Sequence, residues 1–170
     1  MRTTCRSTAL VLFSLLMAGC GFQLRGSYAL PYESIYLAVP DTSVIGANLK
    51  RTIRASGSTR LAESADDAQA TFQNTLETRE PVILSLSGAG RVREKRLRFR
   101  YGYRVVDSKG RNLILPGLIE LNRDLTYADS AVLAKTQEEE LLWRDMENDL
   151  VQQLMRRLAA SKPVTPEAEE

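Results

Sequence analysis

A dense run of basic residues lies between Arg91 and Arg111 and could bind a charged ligand. It holds nine basic residues against two acidic ones. Arginine side chains bind phosphate and carboxylate groups through paired N–H donors, so this segment could contact a polyanion. A second interpretation is also open, in which the arginines form a solvated strand face and pair with acidic side chains of a neighbouring strand.

Cys20 ends a segment that resembles a bacterial lipobox. Arg2 and Arg6 precede an apolar run, Ala9–Met17, which is too short to span a bilayer and is typical of a secretory signal. The lipobox resemblance implies cleavage before Cys20, diacylation of its thiol and acylation of the new amine. The alternative is a plain signal peptide with an incidental cysteine. In lipoproteins of double-membraned bacteria an aspartate after the cysteine tends to retain the protein at the inner membrane, so Gly21 favours the outer membrane.

The inventory of reactive side chains argues against catalysis. The chain has no histidine and two cysteines, so the commonest general base is missing, and a four-ligand zinc site of cysteine and histidine cannot be built. A serine nucleophile would need a lysine base, and neither Lys135 nor Lys162 stands in a Ser-x-x-Lys motif. We therefore predict no catalytic residues, no metal site and no cofactor.

Length and composition are those of an ordinary globular chain. Of 170 residues, 44% are hydrophobic and 26% are charged, which favours a single folded domain. We predict a lipoprotein signal peptide over 1–19, a lipidated tether over 20–33, one α+β domain over 34–161 and a disordered acidic tail over 162–170. Without the signal peptide, basic and acidic residues are equal in number.

Alternating apolar residues predict four strands, over residues 34–39, 68–86, 91–106 and 113–127. Pro81 leaves open whether the second is one strand or two. Its predicted apolar face contains Ala68, Ala70, Phe72, Leu76, Val82, Leu84 and Leu86. The third strand has an apolar face of Leu97, Phe99, Tyr101, Tyr103 and Val105 and a basic face of Arg96, Arg98, Arg100 and Arg104. The last strand has an apolar face of Leu113, Leu115, Ile119, Leu121 and Leu125.

Apolar residues at four-residue spacing predict two helices. The first lies between N-cap candidates at residues 41–43 and a C-terminal Gly57, and the second covers about 130–160, with Asp129 or Ser130 as its N-cap. The apolar stripe of the long helix is Leu142, Met146, Leu150, Leu154 and Leu158. The predicted fold is an α+β two-layer sandwich, a mostly antiparallel four-stranded sheet with two helices on one face, in the order β-α-β-β-β-α.

The first half of the long helix is acidic and carries the single tryptophan, Trp143. Its carboxylates are Glu138, Glu139, Glu140, Asp145, Glu147 and Asp149. Acidic residues near a helix N-terminus complement the helix dipole, and docking against the basic strand or a partner is the alternative. Trp143 lies at the flank of the apolar stripe, where it borders the core or anchors an interface.

Three stretches resemble the LPS-assembly lipoprotein family LptE. They are the segment from Ala18 to Gly26 around the lipobox cysteine, Arg123–Tyr127, and Leu133–Lys135 before the acidic stretch. The resemblance implies an outer-membrane lipoprotein that faces the periplasm, plugs and helps assemble the LptD β-barrel, and binds lipopolysaccharide for insertion into the outer leaflet.

Candidate lipopolysaccharide contacts come from two sources. Lys135 stands in the Leu-Ala-Lys context of the family, whereas Arg91, Arg93, Lys95 and Arg96 are chosen by charge alone. Lipid phosphates are the polyanions within reach of a lipid-anchored protein, and we expect no nucleic-acid partner. Two other functions stay open: a free-standing periplasmic lipid-binding carrier or chaperone, which would need a large apolar cavity, and an envelope enzyme, which the missing histidine disfavours.

Overall fold

The computed structural model describes residues 29–127 and 132–161. Cys20, the signal peptide, most of the tether, the N-cap candidates Asp129 and Ser130 and the acidic tail lie outside the described residues. In the described part the elements are β1 (Ser34–Ala38), α1 (Val44–Ser56), β2 (Arg60–Leu61), β3 (Ala70–Leu86), β4 (Val92–Val106), β5 (Asn112–Thr126) and α2 (Val132–Ala160).

The strands form one mixed sheet in the order β2-β1-β3-β4-β5. β1 is parallel to both β2 and β3, whereas β3, β4 and β5 are antiparallel neighbours. The α+β class and the two helices are confirmed. The prediction of a mostly antiparallel sheet of four strands in the order β-α-β-β-β-α is wrong, because the sheet is mixed and has five strands in the order β-α-β-β-β-β-α. The fifth strand, β2, has two residues, too few for any alternation in the sequence, and it forms because β1 offers it a partner.

Helix α1 begins and ends where its capping residues predict. The Ser43 hydroxyl accepts a hydrogen bond from the Gly46 amide at 3.0 Å, and Gly57 ends the helix in a left-handed conformation with φ of 66°. Ile45, Leu49 and Ile53 are fully buried against the sheet. The predicted first helix is thus confirmed in its caps and in its buried face.

Helix α2 lies on the same face of the sheet as α1 and completes the core. Its buried apolar side chains are Met146, Leu150, Val151, Leu154, Met155 and Leu158, while Leu142 packs at the border. They meet the apolar face of β4, namely Leu97, Phe99, Tyr101, Tyr103 and Val105, all of them buried. The predicted stripe and the predicted apolar face of the third strand are confirmed.

Strand β3 runs without a break through Pro81, which settles whether this proline divides it. β1 pairs only with the first residues of β3, from Ala70 to Gln73. Beyond Gln73, β3 is an edge strand on that side, where a residue without an N–H is tolerated.

A bulge at Thr75 reverses the faces of β3. Asn74 pairs with Tyr103, but Leu76 pairs with Gly102, so one extra residue is inserted. Glu77, Arg79 and Pro81 then pair with Tyr101, Phe99 and Leu97 on the helix face, whereas Val82 pairs with Arg96 on the opposite face. The prediction of one apolar face from Ala68 to Leu86 is therefore wrong beyond the bulge.

A second bulge displaces Leu115 in β5. Val105 pairs with Ile114, but Tyr103 pairs with Gly117, so β5 has one residue more than β4 in this interval. Leu115 is 70% exposed, and its predicted place on the apolar face is wrong. Gly117 instead lies under the Tyr103 ring, where a Cβ atom would come within 2.9 Å of the ring.

Candidate ligand-binding and docking surfaces

The structure divides the predicted basic residues between the two faces of the sheet. Successive side chains of a strand point to opposite faces. Lys95 therefore shares the helix face with buried Leu97, whereas Arg96 lies on the other face, which neither helix of the described residues covers and which we call the open face. Lys95 and Arg96, both predicted to contact lipopolysaccharide, do not belong to one surface.

Arginines of the open face are paired with acidic side chains of the neighbouring strands. Arg96 binds Asp124 through two hydrogen bonds of 2.7 and 2.8 Å. Those hydrogen bonds and the charge of Arg96 lower the pKa of Asp124. Arg98 lies 3.6 Å from a Glu80 oxygen and 3.9 Å from a Glu120 oxygen. The interpretation in which the arginines pair across strands is confirmed for these residues.

The centre of the open face is a small apolar strip. Leu76 and Leu118 both pair with Gly102, one from each side, and they are 38% and 50% exposed. A side chain at Gly102 would meet the Thr75 hydroxyl at 2.6 Å. The open face thus combines a ladder of ion pairs with a narrow apolar centre.

Lys95 forms a half-buried cluster with the first half of α2. Its ammonium lies 2.8 Å from a Glu139 oxygen that also accepts a 2.8 Å hydrogen bond from the Tyr127 hydroxyl. The ammonium also lies 5.0 Å from the centroid of the Tyr127 ring. Partial burial alone would raise the pKa of Glu139, but the hydrogen bonds from Lys95 and Tyr127 hold it below its usual range.

Three carboxylates of the acidic stretch bind cations of the sheet. Glu139 binds Lys95, Asp149 binds Arg123 at 3.1 Å, and Glu147 binds Arg79. Docking against the basic strand, one of the two interpretations of this stretch, is confirmed for Glu139, whereas Glu147 and Asp149 dock on the neighbouring strands β3 and β5. Sequence reasoning did not select Arg79 and Arg123. The sequence did indicate that two carboxylates of the helix lie next to the sheet. Glu139 and Glu147 stand three residues before Leu142 and Leu150 of the apolar stripe, so they border the buried face of α2.

Lys135 and the arginines of the β3–β4 hairpin come together at one end of the molecule. Lys135 binds Glu138 at 2.7 Å, about one helical turn before Glu139. The carbonyl oxygen of Arg93 accepts a 2.8 Å hydrogen bond from the amide of Tyr127, so Arg93 belongs to the same end. Arg91 and Arg93 are exposed. This end therefore gathers four of the five predicted contact residues and leaves Arg96 on the open face.

Trp143 borders the core, as one of its two interpretations predicts. Its ring meets the Phe99 ring edge-on at a centroid distance of 6.3 Å. It also lines a groove of about 550 Å³ with Arg79, Pro81, Glu139, Glu140 and Arg144.

Polar residues line the cavity beside α1, and no reactive cluster emerges in the described part of the chain. The cavity has a volume of about 630 Å³ and is lined by residues that include Asp41, Lys50, Arg54, Arg60 and Glu63.

Within 29–127 and 132–161, no three acidic, histidine or cysteine side chains converge as a metal site requires. No helix of these ranges is long and apolar enough to cross a bilayer.

Comparison with known proteins gives a consistent result. The family model described as LptE, lipopolysaccharide-assembly, matches residues 32–158. The solution structure of a lipoprotein B from Nitrosomonas europaea is 39% identical, with a TM-score of 0.71, over 82% of this chain and 91% of that one. No curated protein matches the sequence significantly.

Two crystal structures share the fold at lower identity. A minor lipoprotein from Acinetobacter baumannii has 23% identity and a TM-score of 0.65, over 81% of this chain and 99% of that one. The rare lipoprotein B from Shewanella oneidensis has 22% identity and a TM-score of 0.64, over 75% of this chain and 94% of that one.

Proposed function

The chain belongs to the LptE lipopolysaccharide-assembly family, and from this premise we propose that it is a non-enzymatic lipoprotein of the outer membrane. In this proposal Cys20 carries the acyl chains, and the folded part faces the periplasm. The protein plugs the LptD β-barrel, helps it assemble, and binds lipopolysaccharide for insertion into the outer leaflet. The match over residues 32–158 and the lipoprotein relative at 39% identity support this function.

The polar open face is the observation that carries the plug proposal. Its ion pairs join β3, β4 and β5 through Glu80, Arg98, Glu120 and the Arg96–Asp124 pair. The lumen of an outer-membrane barrel is polar, so a plug must present polar surface to it. The apolar face of the sheet is already filled by α1 and α2. A lipid carrier, by contrast, would need an apolar cavity of several hundred Å³.

We assign lipopolysaccharide contact first to Arg91, Arg93 and Lys135. The two arginines are exposed, and Lys135 lies at the same end of the molecule. Lys95, Arg96 and Lys135 each hold a carboxylate, that of Glu139, Asp124 and Glu138 respectively. A phosphate could bind any of these three cations only by replacing that carboxylate. Lys135 stays in the assignment because it stands in the Leu-Ala-Lys context that resembles the family.

Co-purification from detergent-solubilised outer membrane tests the plug proposal. We expect a stable complex with a large β-barrel protein. Leu118→Glu adds a charge at the centre of the open face, and we expect it to weaken the complex. The matched control is Leu141→Glu on α2, because Leu118 and Leu141 are similarly exposed, at 50% and 55%. Absence of a barrel partner, or equal effects of the two variants, would contradict the proposal.

A further inference from the structure

The tip of the β3–β4 hairpin, residues 82–93, exposes an unusual concentration of apolar side chains. Ile83, Leu84 and Leu86 are 56%, 43% and 55% exposed. The pairing of β5 with β4 ends at Thr126 opposite Glu94, so the hairpin tip projects beyond β5. Exposed apolar groups concentrated in so short a stretch are typical of an interaction site.

The hairpin tip is apolar on both faces, unlike the rest of the sheet. Val82 pairs with Arg96 on the open face, while the next residue, Ile83, pairs with Lys95 on the helix face. Leu84 and Leu86 extend this apolar character to the turn. A sheet that packs one face on the core and exposes the other to water has apolar side chains on one face only. A tip with apolar side chains on both faces fits an apolar surrounding.

Cations lie directly across from these apolar groups. Leu86 pairs with Val92, and the amide of Ser87 donates a 2.7 Å hydrogen bond to the carbonyl oxygen of Arg91. Arg91 and Arg93, both exposed, stand immediately before and after Val92 at the start of β4. The nearby carboxylate, Glu94, accepts a 2.7 Å hydrogen bond from the Ser85 hydroxyl. Apolar groups beside arginines match a lipid whose phosphates adjoin its acyl chains.

We propose that the hairpin tip takes up acyl chains of lipopolysaccharide through Ile83, Leu84 and Leu86, next to phosphates held by Arg91 and Arg93. This inference rests on the proposed function and adds a contact to the lipid part of the ligand. It makes the hairpin tip an amphiphile-binding element rather than a purely cationic one. The apolar contact and the phosphate contact can then be separated by removing the acyl chains from the ligand.

The experiment measures binding of native lipopolysaccharide and of its deacylated form to the mature protein. The variant is Leu84→Ser with Leu86→Ser. The matched control is Leu115→Ser, an exposed leucine on β5 near the other end of the sheet. We expect the tip variant to bind native lipopolysaccharide about tenfold more weakly, because it loses apolar contact. It should bind the deacylated ligand as wild type does, and the control should match wild type on both ligands.

Three results would overturn this inference. The first is a tip variant that binds native lipopolysaccharide as tightly as wild type. The second is wild-type protein that binds the native and deacylated ligands equally well. The third is a tip variant that keeps lipid binding but no longer co-purifies with the β-barrel, which would make the hairpin tip a protein contact. If the wild-type protein bound neither ligand, the proposed lipopolysaccharide binding itself would fail. The three results above, in contrast, would overturn only the acyl-chain contact at the hairpin tip.

Discussion

The guanidinium of Arg79 lies over the ring of Phe99, 4.7 Å from the ring centroid. The same guanidinium donates a hydrogen bond to Glu147 of α2, a residue that is only 8% exposed. Both contacts exist because the bulge at Thr75 turns Arg79 toward the helices. At this point of the β3–α2 contact a cation and a carboxylate take the place of apolar packing.

Arg79→Ala should destabilise the protein by about 2–3 kcal/mol, because it leaves the Glu147 carboxylate nearly buried without its partner. Urea unfolding measures the change. The double variant Arg79→Met with Glu147→Leu should recover most of the loss, since it removes both charges and keeps the volume. A single variant as stable as wild type would mean that water replaces the guanidinium.

The sequence predicted those parts of the fold that depend on local periodicity. Ser43 and Gly57 bound α1, and the stripe through Leu150 faces the sheet, because caps and four-residue spacing are local properties. The bulges at Thr75 and near Leu115 were missed. A single inserted residue leaves the residue types unchanged and alters only which face they reach.

The candidate site was less predictable, because charge composition does not show pairing. Lys95 and Arg96 are neighbours in a basic run, yet one binds Glu139 of a distant helix and the other binds Asp124 of the next strand. Only the fold brings these carboxylates near. Arg91 and Arg93 stay exposed because they lie beyond the end of β5.

Leu150→Ala should cost about 2–5 kcal/mol of unfolding free energy, through lost burial and a cavity. Leu150 is 1% exposed and lies in the middle of the stripe, whereas Leu141 on the same helix is 55% exposed. Leu141→Ala should therefore be nearly neutral in the same thermal or urea unfolding experiment. Similar losses in both variants would show that α2 packs with a different face.

The Lys95–Glu139 pair should make stability depend on acid pH. The pKa of Glu139 lies below 4.5 in the folded protein, so the pair stabilises fully above 4.5 and its contribution is lost as the pH falls through the folded value. Glu139→Gln should cost about 1 kcal/mol near neutral pH, and that difference should vanish below the folded pKa. Urea unfolding across this range measures it. The control is Glu140→Gln, because the Glu140 side chain is 67% exposed and lies 3.9 Å from Arg144. A difference that is constant with pH would exclude the charge as its cause.

Lys95, the other member of the pair, predicts that the stabilisation is also lost at alkaline pH. Burial alone would lower the pKa of Lys95, but its hydrogen bonds to Glu139 and Tyr127 raise it above 10.5. Its contribution is therefore present below 10.5 and is lost as the pH rises through the folded value. Wild type and Glu139→Gln should converge again at strongly alkaline pH in the same unfolding experiment.

Mass spectrometry of the mature protein should find a lipidated cysteine at position 20 as the N-terminus. Cys20→Ala should release the protein from the membrane, because stable anchoring needs two or more acyl chains. The matched control is Cys5→Ala, which changes a residue that the predicted cleavage removes and should leave anchoring intact. A mature N-terminus at another residue would contradict the lipoprotein assignment.

Replacing Arg91, Arg93 and Lys135 with glutamate should weaken lipopolysaccharide binding, because the local attraction for phosphate becomes repulsion. The wild-type affinity should also fall with added salt, since exposed charges are screened over about 8–10 Å at physiological ionic strength. The fold should survive, because Arg91 and Arg93 are exposed near the turn and Lys135 lies in the first turn of α2. Equilibrium binding at two salt concentrations measures both effects.

The matched control for this triple variant changes net charge by the same amount elsewhere. Arg51, Arg54 and Arg156 are exposed on the two helices, and their replacement with glutamate keeps the hairpin tip and Lys135 intact. If specific phosphate contacts matter, the control should bind lipopolysaccharide nearly as wild type does. Equal losses in the two triple variants would mean that only overall charge attracts the ligand. Wild-type affinity in the first variant at both salt concentrations would exclude phosphate contact at this end, while the plug proposal would still stand on the open face.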